Sequence, residues 1–257
     1  MNSVKIIYED GDILVLDKPS GITVNRSDTT KEEKTVQDWV EQKFSIFNFR
    51  AVGKASGDAR QFSKDEETDF YKRAGIVHRL DKETSGILLA AKTPEAFINL
   101  ARQFKERMVK KTYLALAHGK VEPATGEISV PIGRLPWNRK RFGVLAGGRE
   151  AQTRYRVISN FKFQVSNSQK DLTFLELYPQ TGRTHQIRVH LKYLLHPIFA
   201  DSLYAGRKTV REDREFLPRL FLHAGKISFF HPKTQAMVSF ESPLPASLQS
   251  FLNLLSR

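Results

Sequence analysis

The sequence of 257 residues has no cysteine, only 3 methionines and 2 tryptophans, and no long apolar run. Without cysteine, the chain can form neither a disulfide framework nor a thiolate metal site or nucleophile. No window approaches the roughly 18 apolar residues that cross a bilayer, and the amino terminus lacks the apolar segment of a signal peptide. We therefore expect a cytoplasmic protein with no membrane partner.

Several phosphate- and acyl-handling motifs are also missing. The sequence contains no Gly-x4-Gly-Lys-Ser/Thr loop, no Gly-x-Gly-x-x-Gly turn and no Gly-x-Ser-x-Gly elbow. These absences weigh against an NTPase, a dinucleotide-dependent enzyme and a serine hydrolase.

Acidic residues are outnumbered: 28 Asp and Glu stand against 41 Lys and Arg, for a formal charge of +13 and a pI near 9.9. Such an excess favours a polyanionic partner such as RNA; the alternative is a basic but inert surface. Basic runs occur at Lys105–Lys111, Arg139–Arg141 and Arg207–Arg214, where we expect contacts to a nucleic-acid backbone.

Two helices have clear start signals. Thr35 with Asp38 three residues later predicts a capped helix over 36–44, and Thr93-Pro94-Glu95 predicts a helix to about Arg107. Two more helices are predicted: one capped by Thr184 that runs to about Leu195, and one over 248–255.

The rest of the patterned sequence reads as short strands joined by turns. The predicted strands are 4–8, 12–17, 87–91, 109–118, 151–158, 161–166, 172–178, 225–230 and 236–240, with turns at Asn160 and at 167–170. Strands outnumber helices and the connections are short, which predicts an α+β fold on a large mixed, mainly antiparallel sheet flanked by helices. We expect one domain over 1–257, with the aperiodic segment 45–73 a mobile, solvated insertion.

The most informative stretch is Gly75-Ile-Val-His-Arg-Leu-Asp-Lys-Glu-Thr-Ser-Gly86. It sets Asp81 between Arg79 and Lys82, before a predicted turn at Thr84-Ser85-Gly86. An opposite charge at about 4 Å contributes roughly 4 kcal/mol at an effective dielectric of 20, enough to keep a carboxylate ionised. Asp81 is therefore a candidate nucleophile; the alternative is an Asx-turn residue that ties down its own loop.

A second block, Gly182-Arg-Thr-His-Gln-Ile-Arg-Val-His-Leu191, opens the predicted helix that follows the strand 172–178. Arg183 precedes this helix and Arg188 lies one turn in, so the two guanidiniums can serve different partners. His185 and His190 are five residues apart, whereas zinc-binding helices use spacings of three or four. We predict no metal here and expect these histidines to hydrogen-bond the loop or approach phosphate.

A third block, Lys110–Gly119, places Tyr113 on one face of a strand with Ala115 and Ala117. The small neighbours leave room above the ring, although a strand tyrosine is often simply a core residue.

These blocks, with Lys18-Pro-Ser-Gly21, resemble the signature motifs of the RluA family of RNA pseudouridine synthases. The resemblance extends from Asp12 to about Pro232 and implies a cofactor-independent isomerase that flips uridines of tRNA or large-subunit rRNA stem-loops out of the stack. It implies catalytic roles for Asp81, Tyr113 and Arg188, and substrate contacts by Arg79, His78, Arg183, Thr184, His185 and Lys18. In particular, Arg188 would orient Asp81, and Arg79 would fill the gap left by the flipped base.

Family members often carry an accessory RNA-binding domain before the catalytic one, and here we expect none and a monomer. For Lys18, the sequence leaves open a structural role or a phosphate contact. Two other functions also remain open. One is a catalytically inactive RNA-binding or ribosome-assembly protein; the other is an RNA hydrolase or glycosidase that pairs Asp81 with Glu83, which would need the two carboxylates about 5–9.5 Å apart.

Overall fold

The computed structural model describes residues 4–26, 33–44, 69–165 and 168–256. The chain divides into two compact units. Unit 1 comprises residues 1–109 and 227–242, and unit 2 comprises residues 110–226 and 243–257.

Unit 1 is built on β-strands, the first three of which pair antiparallel in chain order. They are β1 (Lys5–Glu9), β2 (Ile13–Lys18), β3 (Ser85–Ala91), the later part of β10 (Leu222–Phe230) and β11 (Met237–Glu241). The order is β1-β2-β3-β10, and β11 pairs with β10 as the predicted hairpin. All seven residues of β3 are buried, so this strand runs through the core of the unit.

Two helices of unit 1 begin where their capping residues predicted. Helix α1 (Val36–Lys43) has the reciprocal capping box between Thr35 and Asp38, which satisfies two otherwise unpaired amides. Helix α2 (Pro94–Lys105) is capped by the Thr93 hydroxyl, which accepts from the Ala96 amide at 3.1 Å.

Unit 2 contains the first part of β10 and the strands β4 (Lys110–His118), β5 (Thr125–Ser129), β8 (Gln152–Val165) and β9 (Ser168–Pro179). Their order is β10-β4-β9-β8-β5, and a separate hairpin is formed by β6 (Ile132–Arg134) and β7 (Phe142–Val144). Helices α3 (Gln186–Tyr193), α4 (Arg207–Phe216) and α5 (Ala246–Leu255) belong to the same unit. Its core includes an aromatic group in which Phe163 and Phe199 both pack on Phe251.

Several predicted boundaries were wrong. Asn160 is not a turn: β8 continues through it, with a register shift between Val157 and Ser159. The extra residue is absorbed as a bulge, and the Asn160 side chain instead accepts a hydrogen bond from Thr173 Oγ1 at 2.8 Å. Residues 168–170 belong to β9 rather than to a turn, because their backbone pairs with the end of β8.

The segment 45–73 also differs from expectation where it is described. Residues 69–72 are helical, and Phe70 is buried against Phe97 at a ring distance of 5.9 Å. An apolar ring that packs into the core is not part of a solvated insertion. The prediction for 45–68 lies outside the described residues.

The α+β class with a large mixed, mainly antiparallel sheet and flanking helices is confirmed. The expectation of a single domain stays a prediction. Among the described residues, no helix is long and apolar enough to cross a membrane.

Candidate active site

Asp81 lies in a tight turn of unit 1 at the start of β3. The Thr84 amide donates to the Asp81 carbonyl at 3.1 Å, which closes the turn over Asp81–Thr84. The predicted turn at Thr84-Ser85-Gly86 is therefore displaced by three residues, because Ser85 and Gly86 already belong to β3. Gly86 has a φ of +113°, a conformation that residues with a side chain rarely adopt.

The block Lys18–Gly21 fastens this turn. Lys18 is 0% exposed, and its ammonium donates to the carbonyls of Pro19, Ile22 and Lys82 at 2.9, 2.8 and 3.2 Å. The Gly21 amide also donates to the Lys82 carbonyl, at 2.7 Å. Such a buried cation is tolerated because polar groups replace its water shell. Of the two roles left open for Lys18, the geometry favours the structural one over a phosphate contact.

A further anchor holds the next residue of the turn. The Ser20 hydroxyl donates to the Glu83 carbonyl at 2.7 Å. All of these anchors bind main-chain oxygens, so the path of the backbone around Asp81 is set by the last residue of β2 and the loop that follows it.

The basic neighbours of Asp81 have different environments. The Lys82 ammonium forms an ion pair with Glu33, 2.7 and 2.8 Å from its two carboxylate oxygens. The expectation that Lys82 serves as a cation for Asp81 is therefore not supported. Arg79 is exposed and forms no hydrogen bond or ion pair with a described residue, as a residue that contacts RNA would require.

His78 is held by contacts with β3 and α2. Its Nε2 atom accepts from the Leu89 amide of β3 at 2.9 Å, and its ring stacks on Phe104 of α2 at 4.9 Å. Since Nε2 is an acceptor, a neutral His78 carries its proton on Nδ1. These contacts position the residues that precede Asp81; the substrate contact expected of His78 stays a prediction.

The arginine block lies in unit 2, and its helix starts differently from the prediction. His185, not Thr184, is the residue before α3, with a left-handed φ of +56° and no side-chain cap. The Gln186 side chain instead binds the loop before the helix: its Oε1 accepts from the Arg183 amide at 3.0 Å and from the Thr181 hydroxyl at 2.6 Å. The capping rules did not predict these two hydrogen bonds.

Arg188 is buried and forms a two-pronged ion pair with Asp201. Its Nε and Nη2 atoms lie 2.8 Å from the two carboxylate oxygens, at 3% and 0% side-chain exposure. The Leu203 amide also donates to Asp201, at 2.9 Å. Sequence reasoning missed Asp201, which lies 13 residues away in a stretch with no recognised motif. The pairing of Arg188 with Asp81 stays a prediction.

Tyr204 links this ion pair to His185. Its hydroxyl lies 2.9 Å from His185 Nδ1 and accepts from the Phe142 amide at 3.1 Å. Its ring faces the Arg188 guanidinium at 5.2 Å. His185 and Arg188 are thus held in one network, together with the root of the β6–β7 hairpin.

The remaining predicted residues have less informative surroundings. Tyr113 is partly buried on β4, opposite Leu177 of β9, while Ala115 and Ala117 of the same face are fully buried. Arg183 Nε donates to the Glu150 carbonyl at 2.9 Å, and Thr184 is partly buried.

His190 does not approach phosphate. It is fully buried, with Nδ1 2.9 Å from the Thr153 hydroxyl and Nε2 3.4 Å from the Val130 carbonyl. Burial lowers the pKa of His190 to about 4, so the ring is neutral at pH 7. Its partners are Thr153 of β8 and the Val130 carbonyl, not the loop before the helix as expected.

A group of possible metal ligands occurs in unit 1, away from any predicted motif. Asp10, Asp12 and His231 offer ligand atoms within 4.8 Å of one another. However, Asp10 Oδ1 accepts from the amides of Asp12 and Ile13, and Oδ2 lies 2.9 Å from His231 Nε2. These bonds describe an Asx turn fixed by a histidine, so the group needs no ion to be satisfied.

Comparison with known proteins identifies the class. The family model described as RNA pseudouridylate synthase matches residues 12–193, a range that contains Asp81, Tyr113 and Arg188. The chain belongs to this family, and its resemblance to the RluA branch is confirmed.

Individual relatives agree with this assignment. The chain is 37% identical over 255 residues to the ribosomal large subunit pseudouridine synthase D of Nitrosomonas europaea, covering 98% of this chain and 65% of that protein. It is 33% identical over 252 residues to the uncharacterised RNA pseudouridine synthase YlyB of Bacillus subtilis, covering 98% of this chain and 73% of that protein. The chain thus spans less than two thirds of the length of the Nitrosomonas relative.

A solved structure shows the same fold. Human RNA pseudouridylate synthase domain containing 1 superimposes with a TM-score of 0.69 at 28% identity, over 97% of this chain and 87% of that chain.

Proposed function

We propose that the chain isomerises specific uridines in structured RNA to pseudouridine, with Asp81 as nucleophile and without a cofactor. Membership of the RNA pseudouridylate synthase family supports the reaction. The names of relatives such as the Nitrosomonas protein favour large-subunit rRNA over tRNA as the substrate class.

One observation carries the proposal: the turn that bears Asp81 is fixed by a dedicated set of contacts. A fully buried lysine and a serine hydroxyl from Lys18–Gly21 bind the carbonyls of Lys82 and Glu83. A surface aspartate in an ordinary turn needs no such fixation. Holding a reacting carboxylate in place removes the entropic cost of positioning it at each turnover.

The proposed reaction breaks the bond between C1′ and N1 of the uridine, rotates the uracil and forms a bond between C1′ and C5. Asp81 attacks C1′ or C6 of uracil, or removes a proton to give a glycal; each route ends with loss of the C5 proton and protonation of N1. Tyr113 packs against the base, and its phenolic oxygen is the candidate acceptor for the C5 proton. The product has the composition of the substrate, so no redox partner is needed.

Two arginines complete the proposed site. Arg188 orients Asp81, and its fixed position beside Asp201 would give it one defined geometry for that task. Arg79 occupies the space of the flipped uridine, which offsets part of the few kcal/mol that unstacking costs. Its exposure and its lack of a described partner suit this role.

Tritium release from RNA labelled at C5 of uridine tests the proposal directly. Total large-subunit rRNA and total tRNA from cells lacking the protein serve as substrates. Wild type is expected to release tritium from the rRNA, whereas Asp81→Asn, which keeps the shape of the side chain, releases none. Equal release by both proteins would refute the assignment of Asp81, and no release by wild type from either RNA would refute the synthase activity.

Glu83→Gln serves as the matched control. If Asp81 and Glu83 formed a hydrolytic pair, this variant would be as inactive as Asp81→Asn, and gels would show broken RNA or abasic sites. We expect Glu83→Gln to retain tritium release and the RNA strands to stay intact.

A further inference from the structure

The β6–β7 hairpin carries an exposed aromatic ring among basic side chains. Its tip, residues 135–141, has the sequence Leu-Pro-Trp-Asn-Arg-Lys-Arg. Trp137 is 76% exposed, an unusual position for the largest apolar side chain. Arg134, Arg139 and Lys140 are exposed as well.

These cations differ from several other basic residues of unit 2. Arg134, Arg139, Lys140 and Arg141 form no ion pair with a described carboxylate. By contrast, Arg154 pairs with Glu127, Arg156 with Glu176, and Lys170 with Glu212. The positive charge of the hairpin tip therefore remains available to an anionic partner.

The tip is also a defined structure. The Leu135 amide donates to the Arg141 carbonyl at 3.0 Å, and the Arg141 amide donates to the Asn138 carbonyl at 2.9 Å. Arg134 Nη1 donates to the Arg139 carbonyl at 2.8 Å, and its guanidinium lies 4.9 Å from the Phe142 ring centre. Trp137 is therefore presented from a closed loop rather than from a flexible chain.

The root of the hairpin is joined to predicted site residues of the same unit. The Phe142 ring packs edge-on against His185 at 5.7 Å, and the Phe142 amide binds the Tyr204 hydroxyl. Tyr204 in turn faces Arg188. RNA held on the hairpin would thus be attached to the element that fixes the arginine block.

We infer that Trp137 stacks on an unpaired base of the RNA substrate while the flanking cations bind its phosphates. This inference rests on the proposed function only in taking RNA as the partner. An exposed indole amid basic side chains matches the combination that single-stranded RNA sites use, in which bases stack on aromatic rings and cations follow the backbone. Because any base can stack, the contact would select unpaired bases without a preference for their sequence.

Fluorescence isolates the contact, because the chain has only two tryptophans. Trp39→Phe leaves Trp137 as the sole indole. Titration with a dodecamer of uridines should quench its emission, whereas a fully paired RNA duplex of the same length should quench it much less. Equal quenching by both RNAs, or none by the dodecamer, would overturn the inference.

Binding of the same dodecamer gives an independent readout. Trp137→Ala should weaken binding about tenfold and Trp137→Phe only slightly, since a phenyl ring still stacks. Ile158→Ala, which truncates another exposed apolar residue of unit 2, should bind like wild type. If Trp137→Ala also binds like wild type, stacking at this position is refuted.

Salt dependence tests the cations. Arg139→Ala with Lys140→Ala should reduce the slope of log Kd against log salt by about 0.7 for each phosphate that the variant no longer neutralises. Arg154→Ala, which removes an ion-paired arginine, should leave the slope unchanged, and an equal change in both variants would contradict the assignment.

The two proposals can fail separately. Asp81→Asn in the Trp39→Phe background should lose tritium release but keep the quench of Trp137. An active wild type without the quench overturns only the hairpin inference, whereas a quench without any activity overturns only the isomerase.

Discussion

Arg188 and Asp201 form a buried, two-pronged ion pair within unit 2, with both nitrogen–oxygen distances at 2.8 Å. The two side chains are 3% and 0% exposed. Replacing one partner leaves the other as an uncompensated buried charge, which is far costlier than losing the attraction alone. The arginine proposed to act in catalysis is therefore also a structural residue.

Arg188→Met is expected to lower the free energy of unfolding by about 3–5 kcal/mol, because Asp201 remains charged and unpaired. Denaturant unfolding measures the loss. Arg156→Ala, which breaks an exposed pair with Glu176, is the control and should cost less than about 1 kcal/mol.

The double variant Arg188→Met with Asp201→Leu separates the structural role from the catalytic one. Removing both charges should restore most of the stability, while tritium release stays absent if Arg188 orients Asp81. Recovery of activity along with stability would refute the catalytic role.

Lys18→Met should misplace the Asp81 turn, since it removes the donor shared by three carbonyls. We expect a loss of about 2 kcal/mol or more in unfolding free energy, and a fall in kcat with little change in KM. Steady-state kinetics on labelled rRNA measures both parameters. Lys82→Ala, which breaks the exposed pair with Glu33, should leave kcat unchanged; a rise in KM alone for Lys18→Met would instead indicate a phosphate contact.

Gly86→Ala should destabilise the protein by about 1–3 kcal/mol, because φ at this position is +113°. Gly11→Ala is the matched control in the same unit, since its added methyl group meets no atom within 4 Å. Thermal unfolding of the two variants compares them directly. Similar melting temperatures would show that the backbone at Gly86 relaxes without cost.

The lowered pKa of the buried His190 predicts that the protein loses stability in acid. Its pKa is about 4 in the folded state against about 6.5 in an unfolded chain, so the unfolded state binds the extra proton. The stability that the neutral His190 contributes is complete above pH 6.5 and is lost as the pH falls toward 4. The loss in unfolding free energy reaches about 2 kcal/mol by pH 5. His190→Asn should reduce this pH dependence in unfolding experiments at about pH 7.5 and 5, and an unaltered dependence would contradict the argument.

Independence from metal is the simplest prediction of the proposed chemistry. Dialysis against EDTA should leave tritium release unchanged, because the Asp10 carboxylate is already bonded to His231 and to backbone amides. Loss of activity that is restored by a divalent cation would refute cofactor independence.

Local signals predicted the fold best where one residue decides the outcome. Thr35 and Thr93 fixed the starts of α1 and α2, because each hydroxyl caps an amide within its own turn. The turn predicted at Asn160 was wrong, because a bulge lets β8 continue past a residue type that favours turns. Pairing with β9 outweighed the local preference.

The candidate site was predictable in its motifs but not in its supports. Lysine is rarely buried, so nothing in the sequence indicated that Lys18 would be fully enclosed. Asp201 and Tyr204 were missed for a related reason: their importance comes from contacts to Arg188 and His185 that only the folded chain creates.

The anchors of the Asp81 turn have an evolutionary consequence. They donate hydrogen bonds to the carbonyl oxygens of residues 82 and 83, which every amino acid possesses, and not to the side chains. Exchanges at those two positions should therefore be tolerated without disturbing the aspartate, whereas positions 18 and 20 are constrained by the groups they must donate.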